Sequence, residues 1–276
     1  MNSPRYVHLR LHSEYSVTDG IVRIGDAVKR AAGDGMPAMA VTDLGNLFGL
    51  VKFYTGARGK GVKPVAGADV WIANPEAPED AYRLLLLARN RTGYQQLCEL
   101  LTKAYLVEGR RDRAEIRREW FSEIGSDGLI ALSGAHLGDV GEALLNGNFD
   151  LAGERAKAWE AIFPGAFYLE VQRYGQPQQE AIVQQTADLA GETGIPLVAT
   201  HPIQFLNRDD FQAHEARVCI AEGYVLGDHR RPKIYTEEQY FKTQAEMAEL
   251  FADLPEALEN TLEIARRCNI EMTLGK

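Results

Sequence analysis

Short runs of β-type residues alternate with longer stretches whose apolar positions recur at helical spacing, almost from the start of the chain to about residue 205. The β-type runs are RYVHLRLH (5–12), AMAVTD (38–43), KPVAGADVWIA (63–73), YRLLLLAR (82–89), GLIALSG (128–134), AFYLEVQR (166–173) and PLVATH (196–201). Between them, IGDAVKRAAGDG places Ile24, Ala27, Val28 and Ala31 on one helical face and offers Gly35 as a stop. PQQEAIVQQTADLAGETG has Pro177 at a helix start and Gly194 at its end. Such alternation predicts parallel strands joined by crossover helices.

Seven units of this kind predict a distorted seven-stranded (βα)7, TIM-like barrel over about residues 5–205, with an open doubly wound sheet as the competing architecture. The barrel is favoured because His12, Asp43, Asp69, His136, Tyr174 and His201 fall at or just after strand ends, where a βα barrel builds its site. From about residue 206 to 276 only helical patterns remain, as a segment that packs on the barrel or leads toward a further domain.

Composition narrows the function classes. The 276 residues are 45% hydrophobic, ample for a buried core, and the net charge of −9 disfavours an autonomous duplex-binding module. The charged stretch EGRRDRAEIRRE (108–119) reads as a solvated loop and helix face. Cys98, Cys219 and Cys268 are far apart and signal neither a disulfide framework nor a metal knuckle, which fits a reducing cytoplasm. The N-terminus lacks a signal-peptide core, and the longest apolar run, LLLLA, is too short to cross a membrane, so no membrane role is expected.

His12, Asp19, Asp43 and Asp69 are the natural candidates for a metal site, because imidazole and carboxylate together suit zinc, manganese or iron. Each has a structural alternative. Asp43, in AVTDLGN, reads equally as a turn or helix cap, Asp19-Gly20 as a turn, and Asp69 as the partner of a nearby arginine. His214 and His229 read as structural or surface residues. Nucleophile elbows, HExxH and phosphate-binding loops are absent, and GARGKGVKPVAG does not have dinucleotide-binding spacing.

Taken in order, VHLRLHSEYSVTDG, MPAMAVTDLGNLFGLVKFY, GVKPVAGADV, LLLLARNRTGYQQL, LIALSGAHLGDVG, FYLEVQRYGQ and PLVATHPIQFL resemble the PHP (polymerase and histidinol phosphatase) domain, in the branch found at the N-terminus of bacterial replicative DNA polymerase III α subunits. The resemblance implies a distorted seven-stranded barrel. In metal-competent members, clustered His, Asp, Glu and Cys side chains hold metals at the strand ends. Against that pattern, Arg10 stands where the first histidine of an HxH pair would be, while His12 and Asp19 match its second histidine and the following acid. Leu44 replaces the histidine of a TDH motif after Asp43, Asp69 stands for a glutamate, and Arg83 replaces a histidine. Ala135 and Tyr174 occupy other ligand places, and Pro202 and Gln204 stand where an Asp-x-His pair would be, beside His201.

The resemblance therefore implies a vestigial metal site. His12, Asp19 and Asp69 are the ligands that would remain, and Arg10 and Arg83 are fixed positive charges in place of metal. Arg10, His12, Arg83 and Arg173 are candidates to bind phosphate without metal. The expected role is structural, with no cofactor in this domain. The remainder of the polymerase α subunit, a proofreading exonuclease subunit and other replicase subunits are the expected partners. DNA and Mg would be bound mainly by a polymerase core outside this chain. The alternative is a metal-dependent phosphoesterase or pyrophosphatase using Zn or Mn on the residual His/Asp set.

Overall fold

The computed structural model describes residues 5–107 and 113–275. Its strands are β1 (Ala38–Val41), β2 (Lys63–Ile72), β3 (Tyr82–Ala88), β4 (Glu115–Ile116), β5 (Leu129–Leu132), β6 (Phe167–Gln172) and β7 (Leu197–Thr200). They form one curled sheet in the order β1-β2-β3-β5-β6-β7, with β4 pairing with β2. Helices α1 (Ile24–Gly33), α2 (Leu50–Gly59), α3 (Arg91–Leu106), α4 (Trp120–Ile124), α5 (Asp139–Leu145), α6 (Phe149–Ile162) and α7 (Gln179–Thr193) follow the predicted alternation.

Three features depart from the sequence expectation. The first β-type run, 5–12, forms no regular strand. Two backbone bonds link it to β1, with Ala40 N donating to His8 O at 2.8 Å and Thr42 N to Leu11 O at 2.9 Å. On its other side His12 N donates to Ile203 O at 3.0 Å. The segment thus lies between β1 and the stretch after β7 and joins the two edges of the sheet. Its Val7 and Leu11 N–H groups are taken by the side chains of Thr261 and Thr42 rather than by a neighbouring strand, which interrupts the ladder.

Second, β3 runs antiparallel to both β2 and β5. The connection from β2 to β3, residues 73–81, contains no helix. A parallel return needs roughly a dozen residues or more, so this shorter link turns the chain back as an antiparallel neighbour. Third, Glu115–Ile116 in the charged stretch pairs with Trp71–Ile72 as β4 instead of forming a solvated helix face. Residues 108–112 of that stretch lie outside the described residues.

The core follows from the apolar pattern. Leu84, Leu85, Leu86 and Leu87 are all buried, because β3 is covered on both faces. The C-terminal segment contributes α8 (Phe211–Glu222), α9 (Gln244–Leu250) and α10 (Pro255–Arg267). Helix α10 packs against β7, with Asn260 donating to Leu197 O at 2.7 Å, and Lys63 at the start of β2 donates to Ala265 O at 2.7 Å. Among the described residues, no helix is long and apolar enough to cross a membrane.

Candidate functional site

The register of the antiparallel β2/β3 pair builds one wall of the pocket. Asp69 lies opposite Leu85 and Trp71 opposite Arg83, so Asp69 and Arg83 share a face as diagonal neighbours. Arg83 Nε donates to Asp69 Oδ1 at 3.1 Å, a second Arg83 nitrogen bonds Asp69 Oδ2, and the guanidinium stacks 4.4 Å over the Trp71 ring. Arg10, from the extended N-terminal segment, also donates to Asp69 Oδ2. The rest of its guanidinium engages Glu170 of β6 as a fork, Nε to Oε1 at 2.9 Å and Nη2 to Oε2 at 3.0 Å. Such paired N–H···O bonds match guanidinium to carboxylate geometry.

Glu170 is fully engaged. Besides Arg10 it accepts from Gly134 N at 3.0 Å, Gln172 Nε2 at 3.1 Å and the Thr200 hydroxyl. Gly134 has φ +80, and a Cβ there would lie 2.2 Å from Arg83 O, so only glycine lets this N–H reach the carboxylate. The acid was not among the sequence candidates. A lone carboxylate inside the otherwise non-acidic run FYLEVQ, in a strand buried throughout, was the available signal.

His12 lies between two carboxylates, with Nδ1 2.8 Å from Asp19 Oδ2 and Nε2 3.1 Å from Asp69 Oδ2. Ser16 Oγ donates to Asp19 Oδ1 at 2.6 Å. Burial alone would lower the His12 pKa, but the charge and hydrogen bond of Asp19, with Asp69 adding to them, raise it to about 9. Asp69 is buried too, yet Arg10 and Arg83 hold its carboxyl well below the usual range, and His12 likewise holds buried Asp19 down. Three basic side chains (Arg10, Arg83, His12) thus face three acidic ones (Asp19, Asp69, Glu170).

The remaining sequence candidates are dispersed around this network. Asp43 accepts from Ser13 N at 2.6 Å and Ser13 Oγ at 2.9 Å, serving the loop as a cap, and burial raises its pKa to about 6. Leu44 forms an isolated backbone bridge with Asp69. Gln204 Nε2 is 3.3 Å from His12 Nδ1 and 3.5 Å from Asp19 Oδ2. Tyr174 is hydrogen-bonded to His136 at 3.1 Å, and Ala135, in a left-handed conformation with φ +49, lines a small cavity with His136 and Glu170.

His201 belongs elsewhere: its ring is 3.0 Å from Tyr240 O and neighbours His8, while Pro202 contributes only a carbonyl to Gln239. Arg173, expected among phosphate-binding residues, does not join the pocket. Its fork is occupied by Glu180 and Asp253, and it also donates to Leu250 O, tying β6 to the C-terminal helices.

The polar atoms of these side chains are taken up by one another. Both ring nitrogens of His12 face carboxylate oxygens, and both oxygens of Asp69 accept from arginine. Among the described residues, no three His, Cys, Asp or Glu side chains form a group that could hold a metal ion.

Residues 8–174 match the family described as the PHP domain. The chain belongs to the PHP domain family. Over its whole length it is 54% identical to DNA polymerase III subunit alpha of Neisseria meningitidis serogroup A and 46% identical to that of Escherichia coli K12. It matches the N-terminal region of these relatives and spans 24% of their length. Among solved structures, an amidohydrolase from Chromobacterium violaceum, described with bound SO4 and no metal, aligns with TM-score 0.50 at 15% identity, covering 77% of this chain and 96% of that one. That likeness is one of fold and agrees with a distorted PHP barrel.

Proposed function

We propose that this chain is the PHP domain of a bacterial replicative DNA polymerase III α subunit, and that it acts as a structural and docking domain without metal or catalysis of its own. The observation that carries the second part is the balanced network in which Arg10, Arg83 and His12 take up the carboxylate oxygens of Asp69, Glu170 and Asp19. Guanidinium charge there does the electrostatic work of a metal without its Lewis acidity or a bound water to activate. The first part is supported by the full-length match to the polymerase relatives. On this reading nucleotidyl transfer and its Mg belong to a polymerase core outside this chain. The rest of the α subunit, the proofreading exonuclease subunit and other replicase subunits are its partners, in the cytoplasm.

The test is elemental metal content of protein purified without chelator or tag metal, together with turnover of phosphomonoester, phosphodiester and pyrophosphate substrates in added Zn or Mn. Metal near zero and no turnover are expected. Two or more metals per chain, with hydrolysis lost in His12→Ala and Asp19→Ala, would establish the phosphoesterase or pyrophosphatase alternative instead. Co-purification with the exonuclease subunit tests docking separately.

A further inference from the structure

The charged network is almost sealed from solvent, with Arg10 4%, His12 2% and Asp69 0% exposed. Part of the seal is irregular chain. Between the end of α8 and Tyr240, residues 224–239 form no helix or strand. On one side Tyr235 packs edge-on against the His214 ring at 4.6 Å, and His214 Nε2 lies 2.8 Å from Asp19 O. Arg231 pairs there with Glu215 of α8, both buried. On the other side Gln176 Nε2 donates to Ile234 O at 2.6 Å and Thr236 Oγ1 bonds Tyr174 O, in the loop after β6. At its end Gln204, whose side chain reaches His12 and Asp19, donates its backbone N–H to Gln239 O at 3.0 Å.

We propose that residues 224–239 are a strap that closes the mouth of the barrel over the charged network, and that it opens as a unit while the barrel stays folded. Its attachments differ in kind from those of the strands. They are single hydrogen bonds, one ring contact and ion pairs of Arg231 with Glu215 and of Glu238 with Arg208 and Lys242, whereas Val225 (71% exposed), Leu226 (45%) and Ile234 (52%) point to solvent. Segments with few buried apolar contacts open at lower free energy than core strands. Closed, the strap keeps water from competing for the guanidinium and imidazole hydrogen bonds beneath it, which strengthens them. Open, it hydrates His12 and Asp19 first, since Tyr235 and His214 cover that side.

The measurement is solvent exchange of the His12 ring N–H protons by NMR in protein labelled with ¹⁵N-histidine, alongside backbone amide exchange. The intact chain is compared with Tyr235→Gly and with the milder Thr236→Val, which keeps shape but removes the bond to Tyr174 O. In the intact chain the His12 ring protons should exchange slowly. Each variant should accelerate them by about tenfold or more, which corresponds to about 1.4 kcal/mol of closing free energy. Amides of β2 and β6 should keep their protection. The proposal is overturned if His12 exchange is unchanged in both folded variants, or if it is already as fast as free imidazole in the intact chain. Loss of β2 and β6 protection in step with His12 in both variants would also overturn it, because the segment would then be an integral part of the barrel.

Discussion

Replacing Glu170 by glutamine tests whether the Arg10 charge is held by this carboxylate. The change preserves shape and an acceptor for Gly134 N, but it removes the charge facing a buried guanidinium and turns one tooth of the Arg10 fork toward an amide NH2. Both partners are nearly inaccessible, at 4% for Arg10 and 1% for Glu170, so solvent cannot substitute for the lost charge. Removing one partner of a buried pair costs about 3–5 kcal/mol. In a chain of this size each kcal/mol shifts Tm by roughly 2 °C, so a fall of about 6–10 °C is expected. The assay is thermal and urea unfolding of Glu170→Gln, Arg10→Met and the double variant. The double variant should be less destabilised than the sum of the singles by about 1–3 kcal/mol, because the second change removes a group already unpaired. A loss under about 1 kcal/mol for Glu170→Gln, or strict additivity in the cycle, would refute the pairing argument.

Other outcomes follow from the same network. Because the His12 pKa rises from 6.5 to about 9 on folding, its stabilisation is complete below pH 6.5 and lost as pH rises through 9; urea titrations should show a loss of roughly 3 kcal/mol over that window, absent in His12→Gln. His8 behaves oppositely. Burial lowers its pKa to about 4, so stability should decline as pH falls from 6.5 toward 4, and His8→Phe should flatten that decline in acid-denaturation curves. Joint substitution of Arg10→His, Leu44→His, Pro202→Asp and Gln204→His should raise divalent-metal affinity measured by calorimetry; a folded variant with no gain would show that these positions no longer converge.

Much of the barrel was legible because local patterns determine it. Helices α1 and α7 and strands β1, β2, β5, β6 and β7 lie within a few residues of their predicted spans, since apolar periodicity and the glycine stops at Gly35 and Gly194 act locally. The direction of β3 was not, because direction depends on whether the 73–81 link can host a crossover. Residues 5–12 looked like a strand because they have strand composition, but Thr42 and Thr261 took their N–H groups, and that competition is nonlocal.

For the site, the sequence by itself determined which residue types are present: arginines at positions 10 and 83, a histidine at 12 and carboxylates at 19 and 69. Tertiary structure decided the pairing. Glu170 lies 160 residues from Arg10 and meets it only because β6 and the N-terminal segment face the same interior, whereas Arg173, three residues further along, points to Asp253 and Glu180. His201 is drawn to the Tyr240 carbonyl instead of to His12. A buried charge must find its counter-charge wherever the fold places one, and that partner is fixed by strand register and chain crossing rather than by proximity in sequence.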